Sequence, residues 1–417
     1  MIRLRGGMLV TPSGIRRADI MIEDGRIAGI GAGSAGGKVL DCSGCLIGPG
    51  FVDIHVHFRE PGQTWKEDIE TGSRAAAAGG FTGVVPMANT DPATDRGHLV
   101  ESMVRRGDEV GLVEVRPAAA LTAGRRGDEV GPIEELWEAG VRIFSDDGDS
   151  VARPEVLEEA MVRIGRLGGV AAQHAEEAAL TAGGHIHEGI VSAALGIGGL
   201  PAEAEERVVA RDLVLAARTG VRYHVQHVST AGTVSLVRAA RSDGVPVTAE
   251  AAPHHFSLDH RRLLDRNPVM KMYPPLRTAD DVAAVAGAVR DGTIEVIATD
   301  HAPHTSKEKE VALEDAPRGI IGLETSASIA WSILEDDPVA FFQRMAVAPA
   351  HLAEFVDHGQ WLETGGPANV VVFDPDRIWT PEHFESRSQN SPWLGTPLRG
   401  RPVVTIYKGL LTNEVGR

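Results

Sequence analysis

Cysteine is nearly absent from the 417 residues: Cys42 and Cys45 are the only two. A zinc ribbon needs a second such pair and a redox pair should open a helix, whereas Val39 to Ile47 reads as strand and turn, so these two are expected to be structural. Basic residues are also in deficit, 41 against 58 acidic ones, for a net charge of −17. That balance argues against non-specific binding to nucleic acid or to an anionic membrane surface, and any small anion would need a local basic site. No apolar run approaches the ~18 residues of a membrane helix. The start, Met1-Ile2-Arg3-Leu4-Arg5, runs into strand-like alternation rather than a signal peptide, so a cytoplasmic protein is expected. Lysine is missing altogether between Lys66 and Lys271.

What is abundant is glycine, 48 residues, well above the usual ~7%. Several of these glycines punctuate a repeating pattern. Eight short apolar runs end in polar residues: Phe51 to His57, Phe81 to Met87, Leu112 to Ala120, Val141 to Asp147, Val170 to His174, Val221 to His227, Val245 to Ala252 and Glu295 to Asp300. Between most of them lie segments of helical spacing such as Glu203 to Thr219 and Ala279 to Asp291, several closing on glycine (Gly140, Gly168, Gly220, Gly244). Eight strands alternating with helices predict an α/β fold, a (β/α)8 TIM-like barrel, in preference to a doubly wound open sheet. Outside it, Met1 to Leu46 alternates as strands with Asp24-Gly25 as a hairpin turn, and Asn369 to Phe373 and Val403 to Tyr407 do likewise. The expected organisation is therefore a barrel over 50–366 and a small β-sandwich shared by 1–49 and 367–417. Gly31 to Gly36 matches a dinucleotide fingerprint, but a strand rather than a helix follows it, so it reads as a hairpin loop.

In the stretch Asp53-Ile54-His55-Val56-His57-Phe58-Arg59, His55 and His57 lie two apart on one strand face and can grip one ion. Other strands end in Asp146-Asp147, Gln173-His174, Gln226-His227 and Asp300-His301. Active sites of barrels form at the carboxyl ends of their strands, where all these groups converge. Imidazoles with hard carboxylates suit Zn²⁺, with Mn²⁺, Fe²⁺ and Co²⁺ as alternatives.

At these residues the chain resembles the amidohydrolase superfamily and, within it, the type I dihydroorotases. The resemblance spans His-x-His-x-Arg-Glu-Pro-Gly at 55–62, Met-Ala-Asn-Thr at 87–90, Ser-Asp-Asp-Gly at 145–148, Gln-His-Ala-Glu-Glu at 173–177, His-Val-Ser at 227–229, Pro-His-His at 253–255 and Ala-Thr-Asp-His-Ala-Pro-His at 298–304. It implies reversible interconversion of carbamoyl aspartate and dihydroorotate in pyrimidine biosynthesis, with two Zn²⁺ per chain. His55, His57 and Asp300 would hold one ion, His174 and His227 the other, and Asp147 would bridge them. Many amidohydrolases bridge with a carbamylated lysine at the end of strand 4; the lysine-free interval excludes that here and disfavours the hydantoinase and allantoinase relatives. Asp300 would act as general base and then acid. Arg59, with Asn89 and His304, would clasp the substrate carboxylate. His301, His254 and His255 read equally as orienters of ligands or as structural histidines.

Two positions depart from the resemblance. Tyr273 stands where the family usually has Asn in Lys-x-Asn-Pro-Pro-Leu-Arg, and Arg318 stands where it often has Phe. Both bear on substrate identity more than on hydrolysis. They keep open a cyclic amidohydrolase acting on a related carboxylate-bearing ring. A scaffold partner of aspartate carbamoyltransferase is the non-catalytic alternative, against which stands the complete set of ligand positions. A homo-oligomer is compatible with either.

Overall fold

The computed structural model describes residues 1–31 and 37–416. Each of the eight apolar runs contributes one barrel strand: Phe51–Val56, Phe81–Pro86, Glu114–Val115, Ile143–Phe144, Val170–Gln173, Arg222–Val225, Val247–Ala251 and Val296–Ile297. Neighbours pair in parallel register. A parallel bridge from Ala119 to Phe144 joins the third strand to the fourth, and one from Val56 to His301 joins the first to the eighth, closing the barrel. The closing contact includes a hydrogen bond of 2.9 Å from His57 N–H to the His301 carbonyl, so the seam of the barrel lies beside two candidate site residues.

The helices form where the sequence supplies caps. Glu203–Thr219 ends at Gly220, whose φ of 71° is a left-handed conformation that glycine adopts without penalty, and Pro154–Leu167 ends the same way at Gly168. Ala279–Asp291 opens on a capping box between Thr278 and Asp281. Ala231–Ser242 opens on Thr230, three residues past His227, so the segment that presents this imidazole is anchored at once by a helix N-terminus.

The two ends of the chain pair into one eight-stranded sheet. The path runs Leu410–Glu414, Leu398–Tyr407, Val370–Trp379, Leu46–Pro49, Ile2–Thr11, Gly14–Glu23 and Arg26–Ile30, with Lys38–Asp41 beside Ile2–Thr11. Alternation along these strands divides two cores. Val370 and Val372 join Leu4, Leu9, Ile20 and Ile47 in a core internal to the sheet, whereas Val371 and Phe373 face the barrel core with Phe51 and Phe341. Cys42 and Cys45 are buried in the internal core. The fingerprint-like glycines at 32–36 lie outside the described residues. Among the described residues, no helix is long and apolar enough to cross a membrane.

Between the fifth and sixth barrel strands the chain makes an excursion not foreseen from its pattern. It contains the short helices Ala178–Thr181 and Ile190–Leu195 and a two-stranded parallel pair, Ile186–His187 with Gly199–Leu200.

Candidate functional site

The first barrel strand is buried along its whole length and delivers His55 and His57 to one face. Two groups of side chains there could hold a metal ion, His55 with His57 and Asp147, and Asp147 with His174 and His227. Asp147 belongs to both. Its Oδ1 lies 3.3 Å from His55 Nε2, 3.4 Å from His227 Nε2 and 3.8 Å from His174 Nδ1, and its Oδ2 lies 3.5 Å from His57 Nε2. Asp300 stands beside the first group, with Oδ1 at 3.0 Å from His57 Nε2 and 3.8 Å from His55 Nε2. Burial opposes ionisation of Asp147, but the surrounding imidazoles of His55, His227 and His57 outweigh it and hold its carboxyl well below the usual carboxylate range.

Whether these residues suit a cation can be judged from their unmet polar atoms. His55 Nε2, Asp147 Oδ1, His174 Nε2 and His227 Nδ1 are all buried without a hydrogen-bond partner. Buried polar groups are normally paired, and the facing orphans His55 Nε2 and Asp147 Oδ1, ringed by His57 Nε2, His174 Nδ1 and His227 Nε2, mark a place where an ion belongs. The donor set of imidazole and carboxylate suits Zn²⁺.

The chain holds the ligands from behind. Asp147 is fixed by its own N–H donating to Ser145 Oγ at 3.0 Å and by Arg125 donating to its carbonyl at 2.7 Å. The neighbouring Asp146 points away and accepts from Thr122 N–H and Oγ1–H. His55 Nδ1 bonds Glu250 Oε1, and the other Glu250 oxygen takes His224 Nε2 at 3.1 Å. Glu250 thereby holds the proton on Nδ1 and leaves Nε2, the nitrogen facing Asp147, as the one a metal would take. His57 Nδ1 bonds Asn89 Oδ1 at 2.8 Å, which leaves the amide N–H groups of Asn89 as donors. Sequence reading passed over Glu250, His224 and Arg125, because each acts through a contact with a residue distant in the chain.

Backbone strain concentrates here. Arg59, His227 and Asp300 have φ of 52°, 28° and 48°, left-handed values that non-glycine residues adopt at a cost of about 1–3 kcal/mol each. Such outliers are kept where a side chain must be aimed.

Arg59 is half-buried, and its Nε is buried without a partner. Burial pushes its pKa down to about 10, the nearby Asp300 and Asp147 resisting, so it stays charged at neutral pH. His304 donates through Nε2 to the Arg318 carbonyl at 2.8 Å, and its buried Nδ1 is unpartnered. Burial and the charges of Arg59, Lys309 and Lys66 push this imidazole down to about 2, so it is neutral and Nδ1 is an acceptor. Asn390, from the C-terminal segment, accepts from His304 N–H and donates to the carbonyls of Ala302 and Gly319, each at 3.2 Å. His301 is spent on structure: Nε2 faces Glu67 Oε2 at 3.3 Å, and Nδ1 accepts from Gly322 N–H at 3.2 Å. His255 donates to the Pro274 carbonyl at 3.0 Å, while His254 is buried with both nitrogens unpartnered.

A cleft of about 960 Å³ opens elsewhere, around Val245, Val247, Glu295, Leu352 and Phe355 near the amino ends of barrel strands. None of the candidate residues lines it.

Comparison with known proteins agrees with this geometry. A family model described as dihydro-orotase-like matches residues 44–233. A dihydroorotase of Pelotomaculum thermopropionicum is 45% identical, the match covering 97% of each chain. One from Streptomyces coelicolor is 41% identical over 96% of each. Among solved structures, an L-hydantoinase (dihydropyrimidinase) from Arthrobacter aurescens matches with a TM-score of 0.88 at 25% identity, covering 100% of this chain and 96% of that one. A dihydropyrimidinase from Brevibacillus agri shares the fold at a TM-score of 0.83 and 23% identity, over 99% of this chain and 95% of that one.

Proposed function

The chain belongs to the dihydroorotase family, and from that premise we propose that it interconverts carbamoyl aspartate and dihydroorotate at a site holding two Zn²⁺ ions. The observation that carries this reading is the sharing of Asp147 by two ligand groups, with the half-buried, charged Arg59 in the same mouth. His55, His57 and Asp300 would hold one ion, His174 and His227 the other, with Asp147 between them. Bound there, the ions would polarise a ring carbonyl and let water ionise near neutral pH.

The remaining work falls to the chain's own groups. Arg59 pairs with the substrate carboxylate, a charge-assisted contact that the guanidinium can make with two parallel bonds. The Asn89 amide, its oxygen turned to His57, supplies further N–H donors to the same carboxylate. His304 offers an acceptor rather than a donor, which suits the ring N–H adjoining the carboxylate-bearing carbon. Asp300 takes the proton of the attacking water and passes it to the amide nitrogen as the ring opens, since an unprotonated nitrogen is the poorer leaving group. Ring closure runs through the same steps reversed.

In this reading the protein works in the cytoplasm. The test is a side-by-side assay of zinc-loaded protein with dihydroorotate, hydantoin and allantoin. Ring opening of dihydroorotate at ~1 per second or faster, with the others far slower, is expected. Preference for hydantoin or allantoin would overturn the assignment.

A further inference from the structure

The candidate ligands are oriented by different means. His55 and His57 each bond through Nδ1 to a side-chain oxygen, of Glu250 and of Asn89. His174 has no such support. Its Nδ1 faces His227 Nε2 at 2.9 Å and the Asp147 carboxylate, and its Nε2 is buried without a partner. The terminal torsion of a histidine is soft, so an imidazole with no bond behind it needs something else to set its plane. Against it lies the ring of Tyr273, the two centroids 4.3 Å apart and the planes at 46°.

Tyr273 is itself held from several sides. Its hydroxyl donates to Glu176, two residues beyond His174. The guanidinium of Arg318 lies over the ring, 4.1 Å from its centroid, and is steadied by donating through Nη2 to the Gly184 carbonyl at 2.8 Å. His255 pins the adjoining backbone at Pro274. Segments that follow the fifth, seventh and eighth barrel strands thus meet on one aromatic ring. Tyr273 and Arg318 are the two positions at which the sequence departs from its resemblance, and they touch.

We propose that Tyr273 is the positioning residue of His174, doing by ring packing what Glu250 and Asn89 do for His55 and His57 by hydrogen bonding, with Glu176 and Arg318 acting by holding the ring. This rests on the two-metal reading above. Its consequence is selective: loss of the aromatic ring should weaken the ion held by His174 and His227 and spare the one beside His55 and His57.

The experiment is titration of metal-free protein with Zn²⁺ in competition with a chromophoric chelator, for the wild type, Tyr273→Phe, Tyr273→Leu and Tyr273→Ala. The wild type should bind two ions. Tyr273→Leu should bind one of them about 10–100-fold more weakly, the range found when support behind a ligand is removed. Tyr273→Phe, which keeps the ring, should stay close to the wild type. Should Tyr273→Leu fail to fold, Tyr273→Ala, which also lacks the ring, carries the same expectation of one weakened ion. Two ions held as tightly as in the wild type by a ring-less variant would overturn the role, and so would Tyr273→Phe losing as much as Tyr273→Leu. A wild type that binds fewer than two ions would instead remove the two-metal reading on which the role depends.

Discussion

Asp300 differs from the imidazoles around it in having a second oxygen that can carry a proton while the first, 3.0 Å from His57 Nε2, serves the ligand cluster. Asp300→Asn preserves an oxygen for the metal but removes the base, so zinc content should largely persist while turnover falls about 10²–10⁴-fold. Near-normal turnover by the zinc-loaded variant would show that the proton takes another route. His301 could not supply it, because both of its nitrogens are engaged with Glu67 and the Gly322 backbone. Arg59→Met should leave zinc content unchanged and reduce kcat/KM for dihydroorotate by the equivalent of about 2–5 kcal/mol, the usual loss when one partner of a buried charge pair is truncated. Unaltered kcat/KM would place the substrate carboxylate elsewhere. The histidines, aspartates and arginine of the site were legible because strand periodicity and position at strand ends are local patterns. Glu250 was not, since its importance lies in contacts with His55, 195 residues away, and with His224, 26 residues away on the neighbouring strand.

Elements rather than single residues decide how the mouth is built. The excursion after the fifth strand carries His187, whose Nδ1 faces the Arg277 guanidinium at 3.3 Å. Burial, with the charges of Arg277 and His260, pushes this imidazole down from 6.5 to about 4. It is therefore neutral in the folded protein, and between pH 6.5 and 4 the unfolded chain binds a proton that the folded one refuses. The stability it contributes is complete above pH 6.5 and is lost as pH falls through 4, roughly 3 kcal/mol in all. His187→Gln should flatten the pH dependence of the urea midpoint over that interval; an unchanged slope would mean that another group titrates there. The barrel helices were readable from caps and from glycines such as Gly168 and Gly220, whereas this excursion was not, because strands of two residues are too short to show a period.

At the scale of the whole chain, both ends close into one sheet that covers its own core with one face and the barrel with the other, as the opposite destinations of Val370 and Val371 show. The alternation of these strands was visible in the sequence, but their pairing order was not, since it joins Leu46–Pro49 to Val370–Trp379 across the full length of the barrel. The fold gathers His55, His57, His174, His227 and Asp300, from the ends of the first, fifth, sixth and eighth strands, about the Asp147 carboxylate at the end of the fourth. Zinc content by elemental analysis of the wild type, Asp147→Ala and Asp146→Ala tests that arrangement most directly. Two ions per chain in the wild type, a marked loss in Asp147→Ala and near-full retention in Asp146→Ala are expected, because Asp146 is committed to Thr122. Retention in Asp147→Ala with loss in Asp146→Ala would contradict the account.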